Sequence, residues 1–313
     1  MLALVCSKPP RLDPSRAEPV RTPGEVLLGL RVGGICDTDL QLARGYMGYQ
    51  GVLGHEFVAD VIDADDASLR GRRVVADINA SCNRCEVCAR GDGHHCPQRS
   101  VLGILGRDGA LAEQFLVPAH TLVEVPDQVP DERAVFAEPL AAALHVLDDL
   151  PHEPCVVLGD GKLGLLIAAA IAQSGRRVTV VGHHAHKLEL ARAFGAEGVL
   201  EQELALTHVA AVIEATGSSA GLTRALSLLR PRGTLVLKTT VAGASDVDLS
   251  PIVINELRVL GSRCGDLSRA VQVLRSLDPT PLIAARYPLS QAEAAFAHAA
   301  SKGTLKVLVS SRG

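Results

Sequence analysis

The chain has 313 residues, with 31 Lys and Arg against 35 Asp and Glu and a formal net charge of -4 at pH 7. At roughly 150 residues per domain that length suits two domains, and 47% hydrophobic with 21% charged residues excludes a disordered chain. Without a block of like charge, and with 3% aromatic residues and no Trp, it carries neither a nucleic-acid footprint nor a polybasic membrane patch.

The first eight residues lack the charged region and small-residue cleavage site of a secretory signal. The longest apolar run, residues 163–172, is about half of a bilayer span. No membrane partner is expected, and a cytoplasmic location is. There the eight cysteines would be thiols, and clustered ones are better read as metal ligands than as disulfides.

Short alternating apolar runs at 25–32 and 74–78, broken by Gly and Pro, predict strands of an all-β unit in the first third. Between and after them lie three small motifs: Gly34-Ile-Cys36-Asp-Thr38-Asp39, Gly54-His55-Glu56 and Ala137-Glu138-Pro-Leu140. Each is weak alone. Together they offer one thiolate, one imidazole and one or two carboxylates, the three-ligand, open-position pattern of a catalytic zinc. Asp39 can accept from the ligand histidine and fix its tautomer. Spacing does not decide whether Glu56 or Glu138 binds the metal.

Cys82, Cys85, Cys88 and Cys96 follow a C-x2-C-x2-C-x7-C pattern. Four thiolates so close in sequence can close a tetrahedral site that suits a structural zinc and leaves no position for substrate. A four-cysteine iron-sulfur site is the competing interpretation, disfavoured by the spacing. His94 and His95 are read as exposed neighbours of this lobe.

From residue 155 the texture becomes strand, turn and helix, repeated. Residues 155–158, 177–181, 209–214 and 234–238 read as strands, and 162–174, 187–194 and 222–229 as helices, which implies βαβ units and a parallel sheet. Gly159, Gly161 and Gly164, with Lys162 and Leu163 between them, stand in GxGxxG spacing between the first strand and helix, the setting of a dinucleotide loop. At the end of the second strand, where an acid would pair with the ribose of NAD, stands Gly182, followed by His183, His184 and Lys187. That weighs slightly toward NADP(H) over NAD(H). The tail ends in an apolar strand at 305–309.

In this order, with Glu214-Ala-Thr216-Gly217 added, these motifs make the chain resemble the zinc-dependent medium-chain dehydrogenases/reductases of the alcohol, polyol and threonine dehydrogenase branch. The resemblance covers essentially the whole chain. It implies an α/β plus β architecture, a GroES-like β-barrel catalytic domain with an inserted Rossmann doubly wound parallel sheet. The expected bounds are 1–142 for the catalytic domain with a zinc lobe at about 80–98, 143–266 for the nucleotide domain and 267–313 for the return. It implies Cys36, His55 and Glu138 or Glu56 at a catalytic zinc, Thr38 as the hydroxyl that takes the substrate proton, and Thr216 among the cofactor residues. Two zinc ions per chain, a small alcohol or carbonyl substrate and a homodimer or homotetramer follow from it.

The chain departs from that pattern at Gln41, where many members have a histidine that finishes a proton relay, at Asp37, acidic beside a ligand, and at Gly182. Two other classes stand against the dehydrogenase reading: a metal-independent quinone or enone reductase of the same superfamily, and a non-catalytic NAD(P)-binding redox sensor. Tyr46, Met47 and Tyr49 are candidates for a substrate pocket or ordinary loop packing. Lys238 is either a ligand contact or a surface lysine, His145 a packed residue, and Cys6, Cys155 and Cys264 buried apolar residues.

Overall fold

The computed structural model describes residues 1–239 and 246–311. Contacts divide the chain into two compact units, Met1–Glu138 with the chain from Leu267 onward, and Pro139–Asp266.

In the first unit, β1 (Glu25–Ile35) alternates buried and partly exposed residues up to Leu30, then buries Gly33, Gly34 and Ile35. The chain turns at once into α1 (Asp37–Ala43), a helix in the stretch expected to be all β. Its signal is local: Asp39, third in the helix, accepts the Cys36 N–H at 2.8 Å and so caps the first turn. The strands β2 (Glu56–Asp63), β3 (Arg73–Ala76), β4 (Gln114–Pro118) and β5 (Leu122–Glu124) follow. α2 (Ala137–Asp149) then leads out of this unit.

The second unit is a six-stranded parallel sheet. Its elements are β6 (Cys155–Leu158), α3 (Lys162–Gln173), β7 (Val178–Gly182), α4 (Ala185–Ala193) and β8 (Glu197–Leu200). Then come β9 (Val209–Glu214), α5 (Ser219–Leu228), β10 (Leu229–Leu237), α6 (Ser250–Ile254) and β11 (Arg258–Gly261). The strand order β8-β7-β6-β9-β10-β11 reverses direction between β6 and β9, the switch point at which such sheets bind ligands. Val156, Leu158, Val181, Val212, Leu226 and Leu235 form a core on this sheet, each buried side chain worth roughly 2 kcal/mol of transfer free energy. α3 is buried continuously from Gly164 to Ile171, which is why its sequence reads as an unbroken apolar run. No helix among the described residues is long and apolar enough to cross a membrane.

The chain returns to the first unit through β12 (Ile283–Pro288), α7 (Ala292–Ala299) and β13 (Lys306–Ser310). The main sheet there runs β5-β3-β2-β1-β13-β12, with β4 also paired to β1. Its pairings are antiparallel except for β12 with β13. The edge strands β8 and β11 have no clear period in the sequence; β11 is exposed along most of its length, so burial imposes no alternation.

Candidate active site and nucleotide loop

Because β1 is antiparallel to both β2 and β13, its last residues face the first residues of both neighbours. Gly34 pairs with Glu56 on one side and Leu308 on the other, and Ile35 pairs with Val307. Cys36 just beyond β1, His55 and Glu56 at the start of β2, and Lys306 at the start of β13 therefore arrive at one end of the sheet. Gly34 makes room for this: a Cβ there would stand 2.3 Å from Glu56 Oε2.

His55 and Asp39 are buried side by side, at 3% and 0% exposure, with Nδ1 3.4 Å from Oδ1. Asp39 also accepts N–H groups from Cys36 and, at 3.1 Å, from Gly54. His55 Nδ1 makes no hydrogen bond, so its approach to Asp39 is an ionic contact. Burial pushes the imidazolium down, but Asp39 and the Cys36 sulfur outweigh it and hold His55 well above the usual histidine range. Asp39 shows the complementary shift: burial pushes it up, and His55 with the two N–H donors pulls it below the usual range. An imidazole whose Nδ1 faces a buried carboxylate leaves Nε2 for a cation, the arrangement of a metal-ligating histidine. The Thr38 hydroxyl lies 3.8 Å from Cys36 Sγ, and Asp37 is exposed on the outer side of the turn.

Sequence reasoning missed Lys306. This lysine is 3% exposed and ion-paired through Nζ to Glu56 Oε2, with the Phe136 ring centroid 5.8 Å from Nζ. Burial pushes its ammonium down, but Glu56 and Cys36 more than compensate and raise it. The signal was a charged residue in the buried run Leu305-Lys-Val-Leu-Val309. Glu138, partly buried at the start of α2, is pushed up to about 7 by burial, with His55 opposing and Glu56 adding. Cys36, His55, Glu56 and Glu138 thus share one electrostatic neighbourhood but do not close to ligand spacing; Glu56 is turned to Lys306.

Among the described residues, the one group of three or more potential ligands with all donor atoms within 4.8 Å of each other is Cys82, Cys85, Cys88 and Cys96. Their Sγ atoms lie 3.9 Å (Cys82 to Cys88), 3.5 Å (Cys85 to Cys88) and 3.8 Å (Cys85 to Cys96) apart. Four sulfurs at zinc bond lengths in a tetrahedron would be about 3.8 Å apart, so these residues fit the ion. The backbone N–H of Arg84 holds Cys82 down at about 6, which favours the thiolate a metal needs. His94 points away, its Nε2 2.5 Å from Asp77 Oδ2, and His95 is exposed.

In the second unit Gly159 has φ +115°, and a Cβ on it would meet Ala215 O at 2.5 Å. A Cβ on Gly164 would meet Gly159 O at 2.0 Å, so only glycine permits this strand-to-helix packing. Gly161 has nothing within 4 Å of a Cβ, and α3 starts behind it without a side-chain cap, leaving backbone N–H groups for a phosphate. Lys162 and Leu163 form the first turn of α3 and are partly buried. Thr216 is exposed beyond β9, its N–H and hydroxyl both donating to Glu214 Oε1. Gly182 ends β7, His183 is exposed, His184 is the N-cap of α4, and Lys187 is buried at 4% exposure.

Several subsidiary expectations resolve here. Lys238 is neither a surface lysine nor aimed outward: Nζ donates to the carbonyls of Ala142 and Arg263, both at 2.9 Å. Tyr49 is loop packing, its hydroxyl 2.7 Å from Val52 O and 2.9 Å from Arg107 O, while Tyr46 and Met47 are exposed. His145, expected to be packed, is half-buried, with Nδ1 3.1 Å from Asp148 Oδ2. Cys6 and Cys155 are buried, and Cys264 is only partly so.

Comparison with known proteins agrees with this architecture. The family model described as the alcohol dehydrogenase GroES-like domain matches residues 22–127, and the one described as zinc-binding dehydrogenase matches 163–278. An erythritol/L-threitol dehydrogenase of Mycolicibacterium smegmatis is 34% identical over 303 residues, covering 85% of this chain and 83% of that protein. The chain belongs to the zinc-dependent medium-chain dehydrogenase/reductase family. Two solved structures share the fold, each holding a nicotinamide cofactor of its own. An alcohol dehydrogenase from Escherichia coli CFT073, solved with NADH, has a TM-score of 0.90 at 25% identity and covers 99% of both chains. A zinc-binding dehydrogenase from Sinorhizobium meliloti 1021, bound to NADP, has a TM-score of 0.87 at 28% identity, covering 99% of this chain and 98% of that one.

Proposed function

We propose that this medium-chain dehydrogenase/reductase is a zinc- and NAD(P)-dependent alcohol dehydrogenase, interconverting a small alcohol or polyol and its carbonyl. The polyol part of the reading draws on the erythritol/L-threitol relative. The observation that carries it is the end of the β1 and β2 strands, where Cys36 and a His55 backed by buried Asp39 stand beside Glu56, with Glu138 of α2 within electrostatic reach.

In this reading residues 1–142 and 267–313 form the catalytic domain and 143–266 the nucleotide domain. Cys36 and His55, with Glu138 or Glu56, would hold one zinc, and Cys82, Cys85, Cys88 and Cys96 a second. Bound zinc supplies Lewis acidity that makes an alcohol proton labile near neutral pH, and bound nicotinamide is the redox partner. The chain's own residues then orient and move protons. Asp39 holds the Nδ1 side of His55 by its charge, and the Thr38 hydroxyl, 3.8 Å from Cys36 Sγ, would take the alcohol proton. Gln41 is an amide and cannot store that proton, so no side chain at this position finishes a relay from Thr38. Lys306 holds Glu56 off as an ion pair, which makes Glu138 the better placed third ligand.

We place the protein in the cytoplasm as a homodimer or homotetramer. Leu249, Val253 and Ile254 are 60%, 77% and 77% exposed on and beside α6, next to edge strand β11, which supports association through the sheet edge. Metal analysis and an alcohol and carbonyl panel test the reading. The purified protein should carry two zinc ions per chain, and Cys36→Ala or His55→Ala should lose one together with activity. Full turnover by a metal-free protein would overturn it. The bare strand end at Gly182, with His183, His184 and Lys187, favours NADP(H) only where no other acid reaches the end of β7.

A further inference from the structure

The end of β7 carries no acid of its own, yet a carboxylate sits there. It belongs to Asp160, inside the glycine loop, which is 7% exposed as a residue. Asp160 Oδ2 accepts the N–H groups of His183 and His184, both at 2.8 Å, and lies 2.9 Å from His184 Nδ1. All three contacts fall on one oxygen. Among the described residues no hydrogen bond reaches Oδ1. Gly182 is the complement of this placement. A Cβ on Gly182 would stand 2.4 Å from Asp160 Oδ2 and 2.5 Å from its Cβ, so the strand end is bare because the loop's side chain occupies it.

Resting on the nucleotide-binding reading above, we infer that Asp160 replaces the missing strand-end acid, accepts the adenosine ribose hydroxyls, and makes the protein select NAD(H) over NADP(H). An acid at this place can accept from a 2′-hydroxyl but repels a 2′-phosphate. Its two backbone N–H donors and His184 hold the carboxyl below the usual range against the upward pull of burial, so it is charged at neutral pH. Two positions that look like independent departures from the nucleotide fingerprint, Asp160 and Gly182, act as one device.

Binding, read without turnover, tests this. The chain has no Trp, so the fluorescence of NADH and NADPH can be titrated without an indole background, alongside calorimetry. Wild-type protein should bind NADH about tenfold or more tightly than NADPH at low salt, with the gap narrowing as salt screens the repulsion. Asp160→Asn, which keeps an acceptor for the backbone but loses the charge, should shrink the ratio mainly by improving NADPH. Gly182→Ala, whose methyl group pushes the carboxylate aside, should shift the ratio the same way. Should either variant fail to fold, displacement of NADH from wild-type protein by ADP-ribose against 2′-phospho-ADP-ribose decides, with ADP-ribose expected to be the stronger competitor. Equal or tighter binding of NADPH, a stronger phosphorylated competitor, or a ratio unchanged in folded Asp160→Asn would overturn the assignment while leaving nucleotide binding intact. Failure of wild-type protein to bind either nucleotide would overturn the nucleotide-binding reading and this inference with it.

Discussion

Lys306 and Glu56, 250 positions apart in the chain, form a buried ion pair between the first residues of two strands that flank the same third strand. Both side chains are almost fully withdrawn from water, so each depends on the other for compensation.

Lys306→Met should therefore leave Glu56 as an uncompensated buried charge and cost about 3–5 kcal/mol of stability. The double variant Lys306→Met with Glu56→Gln should recover much of that loss, since removing both charges avoids the unpaired state. Urea unfolding of the two singles and the double would check this; additive losses would show that the pair is not coupled.

Asp39 holds His55 and caps α1 at once. Asp39→Asn keeps the size but loses the charge beside Nδ1, and zinc affinity at the Cys36 site should fall about 10–100-fold. Chelator competition should show that loss while the four-cysteine site keeps its ion. A matching loss at both sites would point to general unfolding instead.

At the lobe, Cys85→Ser or Cys96→Ser should release the second zinc and lower the melting temperature, because ligand binding there contributes to folding free energy. Steady-state constants measured well below the new melting point should change far less than they do in Cys36→Ala. If Cys96→Ser kept its metal and its melting temperature, a structural role for the lobe would be wrong.

Asp160 also makes a prediction about acid. Its folded carboxyl lies below the usual aspartate range, so it stabilises the protein above that range and the contribution fades as pH falls through the folded value. The stability gap between wild type and Asp160→Asn should be full at pH 6 and begin to shrink below about pH 4. Urea midpoints across that range measure it, and a gap that widened in acid would reverse the sign.

Much of this molecule was legible in the sequence because local rules and burial agree there. The alternation of strands and helices after Cys155 survives in the fold, as does the cysteine spacing, since in both cases the signal lies within a few neighbouring residues. α1 was hidden because a seven-residue helix between two strands has too few turns to show a period. Lys306 was hidden because its partner is set by strand register, which no window of sequence contains. The approach of Asp160 to Gly182 was hidden for the same reason: it joins two segments that only the fold brings together.

The strand that carries Lys306 covers only the second half of one margin of β1, from Val32 to Ile35, while β4 pairs the first half. Without the Lys306 strand, residues Val32 to Ile35 would present an open margin beside Cys36, ready to pair with another molecule, and Glu56 would lose Lys306.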